Sequence, residues 1–197
     1  MAEGAGFDRA GLLAALEHHG AVVRVVVAAF DGSSPREVGA AMLVWNTGQS
    51  GTIGGGALEF QAAERARAML QQGRALACDR IPLGPALGQC CGGAVTLVSE
   101  RFEVGAQLPG DVLVRQVAGP VAEMPLAVRR LLASARGQGA RPLPQLVQGW
   151  FIEPVAQAER QIWIWGAGHV GRALVDVLAP LPGLAITWVD TASDRFP

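Results

Sequence analysis

Residues 162–171 read Ile162-Trp163-Ile164-Trp165-Gly166-Ala167-Gly168-His169-Val170-Gly171. The first four are β-branched or aromatic and make a run of strand length. The G-x-G-x-x-G spacing that follows is weak evidence alone. Here it leaves a strand, opens a helical segment from His169 to Leu178, and is trailed roughly 20 residues later by an acid. That acid is Asp190, at the end of a second apolar segment, Ala185 to Val189. The order is β-α-β. Within it Gly166 permits a tight turn, Gly168 lets a pyrophosphate approach the backbone, and Gly171 lets helix and strand pack closely.

The helix N-terminus at His169 offers unpaired N–H groups to phosphate. Asp190 is placed to accept a hydrogen bond from a ribose hydroxyl and to repel a 2′-phosphate, which makes NAD the candidate nucleotide. The alternative is that the glycines serve only β-α packing. The chain stops at Pro197, just after the second strand, so the sequence predicts an incomplete, C-terminally truncated Rossmann-like β-α-β unit.

Upstream the pattern changes. Asp8 is a candidate N-cap for a helix carrying Leu12, Leu13 and Leu16, which Gly20 can end. Val22 to Ala29 is a β-branched strand, Ala40 to Trp45 a second, and a third short strand ends near Ile53. Ala57 to Gln72 is the best helix, closed by Gly73. Strands are expected over 75–83 and 94–99, a helix over 124–136, and a linker over 137–144. The fold class predicted is α/β: a mixed N-terminal module over 1–101, a linker and helical region over 102–153, and the partial Rossmann-like module over 154–197.

Three glycine-bearing loops adjoin these strands. They are Gly32-Ser33-Ser34-Pro35-Arg36, Gly54-Gly55-Gly56-Ala57-Leu58-Glu59 and Gly88-Gln89-Cys90-Cys91-Gly92-Gly93. Triple glycine before a helix is a candidate anion site, since no Cβ obstructs the N–H groups. Arg36 is a candidate bidentate phosphate clamp. Glu59, in the helix's first turn, either caps it or hydrogen-bonds a ligand's ring nitrogens. Cys90 and Cys91 are candidate soft ligands for a transition metal. Cys91 is preferred, because Gly92-Gly93 leaves space beside it; Cys78, in an apolar strand, is expected to be buried. Against each stands a structural alternative: tight turns for the glycines, helix-dipole complementation for Glu59, packed small hydrophobes for the cysteines.

Composition narrows the classes. Of 197 residues half are hydrophobic, and the formal net charge is −1, with Lys and Arg scattered singly. No basic stripe points to nucleic acid. The longest apolar runs, such as Val25 to Phe30, are far too short to span a bilayer. Met1-Ala2-Glu3-Gly4 resembles neither a secretory signal nor a transit peptide. Three cysteines, two adjacent, make a poor disulfide framework, so a reducing, cytoplasmic setting is expected. Zinc is not expected: no C-x-x-C pair exists, and His18 and His19 sit near a helix C-terminus facing solvent. No G-x-S-x-G nucleophile elbow is present.

Together the loops resemble a known family. Gly32 to Arg36, Gly39-Ala40-Ala41-Met42, Gly51-Thr52-Ile53-Gly54-Gly55-Gly56 with Glu59, and Gly88 to Gly93 look like the N-terminal module of the xanthine dehydrogenase accessory protein family. Phe151-Ile152-Glu153-Pro154, Ile164 to Leu174 and Trp188-Val189-Asp190 look like its C-terminal Rossmann module. The resemblance implies an accessory chaperone, not an enzyme, that binds molybdenum cofactor (molybdopterin), holds it for sulfuration, and inserts it into xanthine dehydrogenase or a related molybdenum hydroxylase. It implies as partners a cysteine desulfurase and the molybdenum-binding subunit of the dehydrogenase, with a homodimer as a candidate assembly. The competing readings are an NAD-dependent oxidoreductase using the fingerprint and a structural protein whose glycines only build turns.

Overall fold

The β-branched run Ala21–Asp31 forms β1, the central strand of a five-stranded antiparallel sheet. Its neighbours are β2 (Ala41–Trp45), β3 (Gly48–Gly51), β4 (Leu76–Pro82) and β5 (Ala94–Glu103), in the order β3-β2-β1-β5-β4. The structure is a computed structural model. It describes residues 6–84, 92–108, 110–121, 123–138, 141–156, 160–181 and 183–197. Their contacts divide into two compact units, 5–155 and 156–197.

β1 is apolar almost throughout because both its faces are buried. Val23, Val25 and Val27 meet α2 (Gly56–Gln72) through Leu58, Ala62, Ala63, Ala66 and Met69, the apolar stripe of that helix. Val26 and Ala28 point the other way, with Val98, onto Phe151 and Val117. Phe151 belongs to a second, three-stranded antiparallel sheet, β6 (Val112–Gln116), β7 (Gln145–Val147) and β8 (Trp150–Pro154), ordered β6-β8-β7. These three strands lie in the segment read as linker and helix. The helix there, α3 (Leu126–Gln138), is anchored by the buried Val128.

The first helix, α1 (Arg9–His19), is bounded as its sequence predicts. Asp8 accepts from the Gly11 N–H at 2.9 Å, and Gly20 ends it at φ 76°. Its Leu12 and Leu16 pack with Phe7, Val22 and Val155. His18 and His19 are exposed, and His19 stacks on Trp45 at 4.1 Å. Cys78 on β4 is only partly buried, against the expectation of full burial, because it packs at the margin of the core between the two sheets. What covering it has pushes its thiol up, with Asp79 adding to the shift.

The two sheets enclose charge. Arg24 on β1 reaches Glu153 on β8 through two hydrogen bonds, of 2.7 and 3.1 Å. Arg115 on β6 lies 2.6 Å from Glu153 and also pairs with Glu100 on β5. Phe7 lies under the Arg24 guanidinium, and Phe151 under that of Arg115.

The second unit is short. β9 (Arg160–Trp165), α4 (His169–Leu178) and β10 (Leu184–Val189) follow in order, and β9 pairs with β10 in parallel, Ile162 opposite Ile186. The predicted β-α-β order is observed, and the chain is mixed α/β. No described helix is long and apolar enough to cross a membrane.

Candidate functional site

The antiparallel register places one end of every strand of the large sheet together. β1 ends at Asp31, β2 starts at Ala41, β3 ends at Gly51, β4 ends at Pro82 and β5 starts at Ala94. The glycine-bearing loops all leave from this end, and two contacts bring them together. A Cβ on Gly54 would stand 2.6 Å from the Cβ of Pro35 and 3.5 Å from the Cγ of Arg36. A Cβ on Gly93 would stand 2.5 Å from the carbonyl oxygens of both Asp31 and Ser33. Those approaches are open only to glycine. The loops at 32–36, 54–56 and 92–93 therefore form one cluster beside the N-terminus of α2.

Within that cluster Glu59 is fully engaged. Its carboxylate accepts from the Thr52 hydroxyl at 2.5 Å, the Ile53 and Gly55 N–H groups at 3.0 Å, and the Gln49 amide at 3.1 Å. Burial pushes the carboxyl up, but these four hydrogen bonds outweigh it and hold Glu59 below its usual range. Glu59 thus serves as the cap of the glycine turn. Gly54 donates to the Thr52 hydroxyl at 3.1 Å. Gly55 and Gly56, at φ 74° and 63°, have open space where a side chain would be, as has Gly92. The accessible part of the predicted anion site is the Gly56 side of the turn.

Arg36 stands at the same end with its fork closed on Glu37, by Nε and Nη2 hydrogen bonds of 3.0 Å each. The Glu37 hydrogen bond raises the Arg36 pKa, and Arg36 in turn holds Glu37 below the usual carboxylate range. Ser34 donates to the Arg36 carbonyl at 2.7 Å and fixes the loop's bend. Cys90 and Cys91, the metal candidates, lie outside the described residues. Among the described residues no three His, Cys, Asp or Glu side chains stand close enough to hold a metal ion.

The fingerprint residues Gly166, Gly168, His169, Gly171 and Asp190 belong to the other unit. A Cβ on Gly171 would fall 1.9 Å from the Gly166 carbonyl oxygen, so the third glycine is required for packing. Gly166, at φ 101°, and Gly168 face open space. His169 is the exposed first residue of α4. Asp190 accepts from the Ala167 N–H at 2.5 Å, the Thr191 N–H at 2.5 Å and Arg195 at 3.2 Å. The Ala167 bond first, then those from Thr191 and Arg195, outweigh desolvation and lower its pKa to about 2. Its carboxylate is thus turned onto the fingerprint's own backbone. Arg172 closes the turn from the other side, donating to the Ala167 carbonyl at 3.0 Å.

Sequence reading passes over Pro35, Glu37, Gln49, Thr52 and Arg172. Pro35, Thr52 and Arg172 sit inside the quoted motifs, and Glu37 directly follows Arg36, so proximity is the signal available for them. Gln49 carries none.

Residues 15–79 match the XdhC and CoxI family. The match runs from the end of α1 into β4 and includes the loops at 32–36 and 54–56. No curated protein matches the chain. A crystal structure described as a xanthine dehydrogenase from Bacillus halodurans is similar to it, with a TM-score of 0.60 and 17% sequence identity. The likeness covers 94% of this chain and 63% of that one, and at this identity it is a likeness of fold.

Proposed function

We propose that this chain is a carrier of molybdenum cofactor, which holds molybdopterin for sulfuration and passes it to xanthine dehydrogenase or a related molybdenum hydroxylase. The observation that carries the reading is the convergence of the loops at 32–36 and 54–56 with Gly92-Gly93, and with Arg36, at one end of the five-stranded sheet. Such a surface fits a phosphate-bearing heterocycle, because no side chain obstructs approach at Gly56 and Gly92, beside the N-terminus of α2. The family match supports it, since it covers two of the three loops and the family is associated with xanthine dehydrogenase maturation. In this reading Gly56, Gly92 and Arg36 hold the phosphate end, Glu59 keeps the turn in shape through the Ile53 and Gly55 N–H groups, and Gly93 lets the loops meet. Cys90 and Cys91 supply soft sulfur toward the molybdenum. The bound group would be cargo, and its dithiolene and metal would supply the redox chemistry only in the receiving enzyme. The partners proposed are a cysteine desulfurase and the molybdenum-binding subunit, the assembly a homodimer, and the setting the cytoplasm.

A second reading has its own observation. The parallel β-α-β with open Gly166 and Gly168 suits a dinucleotide pyrophosphate, which is the feature an NAD-linked oxidoreductase would use. One experiment separates the two. The chain is purified from cells that make molybdopterin, and bound pterin and molybdenum are measured alongside NADH binding. Bound pterin without hydride transfer supports the carrier. NADH binding without pterin selects the oxidoreductase.

A further inference from the structure

Both described arginines at the loop end of the large sheet stand against a carboxylate. Arg80 meets Asp31 at 2.8 Å, in an exposed pair. Arg36 meets Glu37 through two parallel hydrogen bonds, with both side chains more than half covered. The second pair is unlike an ordinary surface pair. Its partners are adjacent in the chain, so holding both side chains on one side depends on the bend that the Ser34–Arg36 hydrogen bond fixes. The Arg36 stem lies against Gly54, at the glycine turn itself. The fork presented to Glu37 is the same planar, two-donor face that a phosphomonoester would take.

We propose that Glu37 is a resident stand-in for the ligand's phosphate on Arg36, and that it leaves the guanidinium fork when a phosphate-bearing ligand enters. The inference rests on the reading of this loop end as the phosphate site. While the site is empty, Glu37 keeps Arg36 aligned and its charge neutralised. A monoanion with one oxygen to offer gains little by replacing a bidentate carboxylate. A dianionic phosphate monoester brings two oxygens and more charge, and the N-terminus of α2 on the open Gly56 side of the turn favours it further. Glu37 therefore selects for the ligand's charge and shape as well as covering the arginine. Since Arg36 holds the Glu37 carboxyl below the usual range, Glu37 is ionised at neutral pH and the exchange needs no proton.

The test uses the full chain and its Glu37→Gln, Glu37→Ala, Arg36→Ala and Glu37→Gln/Arg36→Ala variants. Two quantities are read: the dissociation constant for molybdopterin, and the response of the Arg36 Nε resonance to inorganic phosphate. Both Glu37 variants are expected to bind both probes about two- to fivefold more tightly, the scale of one partly exposed ion pair. The gain should vanish when Arg36 is also removed. Unchanged or weaker phosphate binding by both Glu37 variants overturns the exchange. The two readings fail separately. If phosphate engages Arg36 more tightly without Glu37 while the parent chain retains no molybdopterin, the exchange stands and the carrier reading falls. If molybdopterin is retained and neither Glu37 variant binds it more tightly, the carrier stands and the exchange is wrong.

Discussion

Glu153 is the most deeply buried charge among the described residues, with a side chain 0% exposed between Arg24 at 3% and Arg115 at 15%. Arg115 is shared with Glu100, so two cations and two anions cancel between the sheets. Burial alone would lower the Arg115 pKa, but Glu100 and Glu153 outweigh it and raise it. Glu153→Gln keeps the volume and removes the charge. Arg24 and Arg115 are then left with Glu100 as their one anion, and the amide NH2 meets a guanidinium donor where Oε1 or Oε2 accepted. An uncompensated buried cation costs about 3–5 kcal/mol. Arg24→Met removes the opposite sign. It leaves Glu153 and Glu100 sharing Arg115, and it also loses the Phe7 contact, so a cost of about 3 kcal/mol is expected.

The double variant Arg24→Met/Glu153→Met leaves Arg115 with Glu100, a neutral pair, and puts apolar side chains where the ions stood. Such replacements are often neutral or stabilising, so the double should be about as stable as either single or more so. Urea unfolding read by amide exchange in β1 measures all three on unit 5–155. A loss below about 1 kcal/mol for Glu153→Gln, the scale of an exposed pair, would refute the reasoning. So would a double variant whose cost equals the sum of the singles.

Four further outcomes are expected. Gly171→Ala should cost at least about 2 kcal/mol and strip amide protection from Ala185 to Val189, because its Cβ meets the Gly166 carbonyl at 1.9 Å. Lowering pH should loosen the glycine turn: the folded Glu59 pKa lies below its ordinary 4.5, so its contribution is complete above that value and is lost as pH falls through the folded value. Exchange at Ile53 and Gly55, corrected for intrinsic rate, should show this, and Glu59→Gln should abolish the pH dependence. NAD binding should be weak, because a ribose must draw Asp190 from the Ala167 N–H; a calorimetric titration giving micromolar affinity that Asp190→Ala abolishes would contradict this. Of Cys90→Ala and Cys91→Ala, the latter should impair molybdopterin retention more at little cost in thermal midpoint, and a double variant that retains cofactor like the parent would make both sulfurs structural.

Elements that announce themselves locally are legible in this sequence. Asp8 and Gly20 bracket α1, the alanine-rich stripe marks α2, and the G-x-G-x-x-G turn joins β9 to α4, each signalled by residues a few positions apart. β6, β7 and β8 are not legible, and β8 shows why. Trp150–Pro154 contains a proline and an acid, which argue against a buried strand. Pro154 is tolerated at the strand's end, where its carbonyl accepts from Phe7. Glu153 is tolerated because Arg24 arrives from 129 residues away. The same division runs through the candidate site. Three glycine loops next to strand ends can be read one by one, and the resemblance groups them, but their contact depends on strand register, a long-range property. Arg36 read alone is a free phosphate clamp, and the carboxylate that closes it is the very next residue. Adjacent side chains do not ordinarily face each other, and here they do in a loop that the Ser34 hydroxyl ties to the Arg36 carbonyl. A sequence thus shows which chemistry is available at a site, and tertiary pairing decides how much of it is already engaged before any ligand arrives.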